Sequence, residues 1–160
     1  MLPLEQQVCS LGLAKRLKEL GVRQESLFYW YKGLREPFAD WHEQGHVYQD
    51  YPNPEILYSA FNTAELGDML PAWIDTKQNE PFNIFGLETI KRKSRNIQFI
   101  VSYECDSIKG KEINNPLARS RACHTYDEKE ADARAKMLIY LIENDIVSVE
   151  WLWWQHDNNK

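Results

Sequence analysis

The chain reads as a small α+β protein, a small antiparallel sheet packed against two principal amphipathic helices, one near each end. Three observations carry that prediction. Apolar residues recur at helical spacing over 10–20 and again over 128–143, they alternate with polar residues over 96–103, and turn-forming residues punctuate the chain between. With 160 residues, including six Trp, eight Tyr and six Phe, the chain can bury one core without a metal or a disulfide framework. One domain over 1–160 is expected, ending in a polar tail from about Gln155.

The first helix is expected from Ser10 to Leu20. Ser10 stands at the capping position, Leu13, Ala14, Leu17 and Leu20 share one face, and Gly21 can take the left-handed conformation that stops a helix. Lys15, Arg16, Lys18 and Glu19 fall on the water side. The phrase LAKRLKELGV looks like the first helix of a helix-turn-helix, but RQESLFYWYKG after it lacks a tight turn and a second helix. An aromatic strand from Ser26 to Tyr31 is expected instead. Gly33, Pro37, Gly45, Pro52 and Pro54 then break all periodicity, and 33–54 reads as loop or edge structure.

Asn62 and Glu65 have the spacing of a reciprocal capping box, with Phe61 and Leu66 as a hydrophobic staple, so a short helix should run to Leu70 and end before Pro71. Residues 71–89 read as a connection whose Trp73, Phe82, Phe85 and Leu87 pack on the body. Asn96 to Tyr103 is the strongest strand, with a hairpin turn around Asp106 to Gly110. The second long helix spans Glu128 to Glu143: Asp127 and Glu130 resemble a cap, and Ala131, Ala135, Leu138, Leu141 and Ile142 line one face. Ala131, Ala133 and Ala135 leave room for a close backbone neighbour, and Asn144 is the expected stop. Ile146 to Trp154 reads as a terminal strand with Val147, Val149, Trp151 and Trp153 on one side.

The formal net charge of −5 supplies no field toward phosphate backbones or anionic lipid, which sets nucleic acid aside as the expected partner. No run approaches the roughly 18 apolar residues of a membrane span, and MLPLEQQVCS lacks the flank and core of a signal peptide, so a cytoplasmic location is expected. Cys9, Cys105 and Cys123 are an odd number without CxxC spacing, which fits reduced thiols better than a staple or metal pair. Cys123 beside His124 is a reactive thiol only if the two side chains converge.

One short match competes for a catalytic role. His42-Glu43-Gln44-Gly45-His46 is an HExxH pattern, which on a helix puts His42 and His46 on one face to hold zinc and Glu43 beside the bound water as base. Gly45, Pro37 and Pro52 deny it a long regular helix, and the third ligand nearest in sequence, Glu65, is claimed by the capping box. A zinc-dependent hydrolase is therefore the alternative reading, and no cofactor is expected. The basic run Lys91, Arg92, Lys93 and Arg95 offers a further alternative, a nucleic-acid or nucleotide contact, against the simpler reading of a solvated strand entrance. The aromatic runs FYWY at 28–31 and WLWW at 151–154 carry more ring area than a small core needs. Trp151, Trp153 and Trp154 are the expected contacts with a protein partner or a second copy.

Three stretches, SLGLAKRLKELGVRQESLFYW at 10–30, AELGDMLP at 64–71 and EADARAKMLIYLIEN at 130–144, frame most of the length. In them the chain resembles small uncharacterised proteins of gut Bacteroidetes, their prophages and related mobile elements. The resemblance implies a non-enzymatic accessory protein acting on a host or phage partner, and it brings no catalytic residue with it.

Overall fold

The computed structural model describes residues 4–31, 46–49, 57–75, 84–93, 97–106 and 119–158. A 3-10 turn at Leu4–Gln6 leads into α1 (Leu11–Glu19), followed by β1 (Phe28–Tyr31), β2 (His46–Gln49), β3 (Leu57–Ser59), α2 (Thr63–Met69) and β4 (Trp73–Asp75). Then come β5 (Ile84–Lys93), β6 (Ile97–Asp106), β7 (Arg119–Asp127), α3 (Glu130–Glu143) and α4 (Val149–Asn158). The fold is α+β, as the sequence predicts, but the described residues form two antiparallel sheets rather than one: β2-β1-β3 and β4-β5-β6-β7.

α1 forms where its periodicity places it. Ala14 and Leu17 are buried, Lys15, Arg16, Lys18 and Glu19 face water, and Gly21 adopts φ +87°, a conformation that costs a residue with a Cβ roughly 1 kcal/mol or more. The cap differs from expectation. Ser10 occupies the N-cap position without a side-chain cap bond, while its N–H donates to Asp132 Oδ1 of α3 at 2.6 Å. Residues 22–26 are non-helical before β1, so α1 has no helix-turn-helix partner next in sequence.

The capping box of α2 is present in full. Asn62 Oδ1 accepts from the N–H groups of Ala64 (2.8 Å) and Glu65 (3.0 Å), and Glu65 Oε2 accepts from the N–H of Asn62 at 2.8 Å. Phe61 and Leu66, the expected staple, are both fully buried.

α3 lies against the inner face of the four-stranded sheet, on which Val101, Tyr103 and Cys123 are buried. The alanines do what their size allows: Thr125 Oγ1 reaches the main chain and donates to the Ala133 carbonyl at 2.7 Å. Met137, Leu138 and Leu141 are fully buried and join Val8, Leu17, Phe61 and Leu66 in one cluster. Each such side chain contributes roughly 1.5–3 kcal/mol by leaving water. Trp30 enters the same cluster from the three-stranded sheet, and its Nε1–H donates to the Cys9 carbonyl at 2.8 Å. α3 starts at Glu130, two residues later than expected, with Lys129 at the N-cap position. The left-handed stop falls at Asp145 (φ 55°) instead of Asn144.

The largest correction is at the C-terminus. Ile146 to Trp154 is not a strand: the chain turns and forms α4, whose first turn is held by Ser148 Oγ accepting from the N–H of Trp151 at 3.2 Å. The reading of 71–89 as a connection is corrected as well, since β4 and most of β5 lie there. Trp73 does not pack inward. It is paired across the ladder with Gly86, and its ring lies so close over that residue that a Cβ there would meet Cζ3 at 2.9 Å. β6 runs on to Asp106 and pairs antiparallel with β7, which starts at Arg119, while the turn expected around Asp106 to Gly110 falls outside the described residues after Asp106.

Candidate interaction surface

At about 100° per residue, Trp151 and Trp153 stand roughly 200° apart around α4 and part company. Leu152 is buried and Trp151 packs partly buried against the core, while Trp153 is 43% exposed. The Arg23 guanidinium carbon sits 5.9 Å from the Trp153 ring centroid, within cation–π range, and Arg23 also pairs with Glu25 at 3.5 Å. The exposed indole is thus held by a charged neighbour. Val149, at the start of the same helix, lies 3.6 Å from where a Cβ on Gly21 would stand, which seats α4 beside the turn that ends α1. Trp154 belongs to α4.

The remaining sequence candidates are dispersed. His46 is the first residue of β2, level with Tyr31 of β1, while His42 and Glu43 lie outside the described residues. Glu65 is engaged three times: besides Asn62, its carboxylate accepts from Ser26 Oγ at 3.0 Å and from the N–H of Leu27 at 2.8 Å. Among the described residues no three His, Cys, Asp or Glu side chains gather in a metal-holding group. Lys91, Arg92 and Lys93 are the last residues of β5, inside a strand rather than before one, and Arg95 lies outside the described residues. The Lys91 ammonium rests 5.2 Å from the Phe99 ring centroid.

Cys123 and His124 are neighbours in β7 and so point to opposite faces of the sheet. Cys123 is buried, with its Sγ 3.7 Å from Met137 Sδ, whereas His124 is exposed on the other side, so the pair does not converge. Burial raises the Cys123 thiol pKa and pushes that of Cys9 up to about 12, leaving both as neutral thiols. Burial likewise raises the pKa of Tyr103, whose hydroxyl donates to the Pro71 carbonyl at 2.6 Å. These groups hold the fold together.

What reaches the surface is aromatic. Trp73 is 67% exposed and Tyr126 59%, both on the face of the four-stranded sheet that α3 does not cover, and Leu27 is 58% exposed. Of the expected contacts Trp151, Trp153 and Trp154, Trp153 is exposed and Trp151 half-buried, and Trp73 and Tyr126 were not among them. The signal for Trp73 is its level pairing with a glycine, which becomes visible only when the register is known. No helix of the described residues is long and apolar enough to cross a membrane. No family model, curated protein or solved structure matches the chain.

Proposed function

We propose that this is a non-enzymatic interaction protein, an accessory protein of a phage or mobile element, that docks a protein partner through α4. The observation that carries this reading is Trp153, a large indole 43% exposed and braced by Arg23. Trp and Arg are among the residue types that most often dominate a protein interface, Trp because its rigid ring removes much area from water at small rotamer cost and Arg because its planar guanidinium stacks on aromatic rings and donates in a fixed fork. Two free, buried thiols, Cys9 and Cys123, support a reducing compartment and hence the cytoplasm.

The test is affinity purification from the native cells of the wild-type chain and of Trp153→Ala, compared by quantitative mass spectrometry. The reading expects one protein near stoichiometry with the wild type and its loss with the variant, both proteins giving the same circular dichroism. Equal recovery of every companion by both chains refutes it. Native mass spectrometry of the protein purified without chelator adds an independent check. A stoichiometric zinc adduct lost on His42→Ala and His46→Ala would replace this reading with the hydrolase one.

A further inference from the structure

Trp153 stands in an acidic neighbourhood. Glu150 precedes it by three residues on α4, which makes the two neighbours on the helix surface. Glu25 meets, at 3.5 Å, the same Arg23 guanidinium that lies over the indole. Val149 seats α4 against the Gly21 turn, and just ahead of that turn Arg16 bridges Glu19 at 3.1 Å and Glu143 at 2.7 Å. Asp145 follows in the turn from α3 to α4. These five carboxylates are all exposed and stand against two guanidiniums, a balance of three negative charges. The α1 lysines, Lys15 and Lys18, reach to the other flank of that helix, where their ammoniums lie 5.6 and 5.0 Å from the Tyr58 ring centroid. The sequence after Trp153 carries one aspartate and one lysine and leaves the balance unchanged.

We propose that the partner segment docked on α4 is basic, an apolar side chain set on the Trp153 indole with lysine or arginine beside it, over the Glu150 and Asp145 carboxylates. The proposal deepens the reading of Trp153 as the partner contact and rests on it. Neither Glu150 nor Asp145 has a cationic partner among the described residues, so an arriving ammonium or guanidinium pairs with them without breaking an ion pair already made. The same charge turns other occupants away. A second copy brings the same acidic rim on a chain of net charge −5, and phosphate backbones and anionic headgroups are repelled in the same way.

The rim and the ring leave separate kinetic marks. Charges at the edge of a contact act on the encounter, which opposite sign speeds and salt slows, because the field extends only about 8 Å at physiological ionic strength. A central aromatic instead decides how long the complex lasts, through the area it keeps from water.

The test selects a displayed library of random peptides, about 16 residues long, on the full chain and on Trp153→Ala. Recovered peptides are then timed on the wild type and on the Glu150→Gln, Asp145→Asn double variant at about 50 and 300 mM salt. Both substituted residues are exposed and asparagine tolerates the φ of 55° at 145, so the double variant keeps the fold and reads the charge without relying on Trp153→Ala. Clones that need Trp153 are expected to be net positive, with lysine or arginine within about four residues of an apolar anchor. Their association should slow by about tenfold across that salt range and about threefold in the double variant, with dissociation nearly unchanged, whereas Trp153→Ala speeds dissociation. Neutral or acidic clones that need Trp153 overturn the inference and leave the α4 reading standing, as does association indifferent to salt and to the double variant. A library with no clone that needs Trp153 removes the α4 reading, and the inference with it.

Discussion

Replacing Asp132 with alanine should loosen the N-terminal segment from α3, and the size of the effect can be built from its contacts. The carboxylate is nearly buried, accepts from the Ser10 N–H at 2.6 Å through Oδ1 and pairs with Lys129 Nζ at 3.2 Å through Oδ2. A hydrogen bond to a charged group contributes about 1.5–3 kcal/mol, and a half-buried N–H left without a partner adds a further penalty of about 1 kcal/mol. Lys129 limits the loss. Its ammonium keeps the carbonyls of Glu5 (3.2 Å) and Val8 (3.1 Å), so the loss stays at the lower end of the roughly 3–5 kcal/mol of a broken, fully buried ion pair. The expected loss for Asp132→Ala is about 3 kcal/mol, or a fall in Tm of roughly 6–12 °C for a chain of this size. Asp132→Asn keeps an acceptor for Ser10 and gives up the charge, so it should lose about 1 kcal/mol. Urea unfolding with constant slope measures both, and exchange of the Ser10 amide reports the local opening. The reasoning fails if Asp132→Ala unfolds within about 0.5 kcal/mol of the wild type, or if Asn is as damaging as Ala.

Glu65→Ala strips the acceptor from the N–H groups of Asn62 and Leu27 and from the Ser26 hydroxyl, and should cost about 2–3 kcal/mol in urea, with Glu65→Gln recovering part of it. Asp127 sets an acid limit. Its desolvation opposes ionisation, but the Lys136 hydrogen bond and the backbone N–H groups of Lys129 and Glu128 outweigh it and hold the carboxyl below its ordinary value of 3.8. The resulting stability is present above that value and lost as pH falls through the lower folded-state one. The gap between wild type and Asp127→Asn should therefore close progressively as pH falls below the ordinary value of 3.8 in paired urea titrations. Cys9 and Cys123 should resist iodoacetamide at pH 8 in the folded chain and react within minutes in urea, and fast native labelling at either residue would contradict their burial.

The helices with one apolar stripe were legible because burial and periodicity coincide in them, and α2 was legible from four residues, since Asn62 and Glu65 satisfy each other locally. β7 left almost no trace. Its inward positions are filled by Cys123 and Thr125, small or polar residues that suit a helix backbone approaching as closely as the alanines of α3 permit. β5 was hidden by Gly86, which reads as a breaker in the sequence and exists to seat Trp73. In α4 the run Trp151-Leu152-Trp153-Trp154 satisfies both periods at once, and the deciding mark was Ser148 just ahead of it with Glu150 in the first turn. Of the proposed contact surface, Trp153 was visible as an aromatic in excess of the core. Its separation from Trp151 was not, because a two-residue step keeps side chains together on a strand and drives them apart on a helix.

The stitching of α1 and the N-terminal turn to α3 has a consequence for how the molecule is made. Ser10 waits for Asp132, Lys129 reaches back to Glu5, and Arg16 meets Glu143, partners separated by 122, 124 and 127 positions. At a synthesis rate of about 5–20 residues per second, α1 leaves the ribosome roughly 6–25 seconds before its partners exist. During that interval Ala14 and Leu17 have no α3 to cover them. α1 therefore settles only after α3 has been made, and until then its apolar face is left to water.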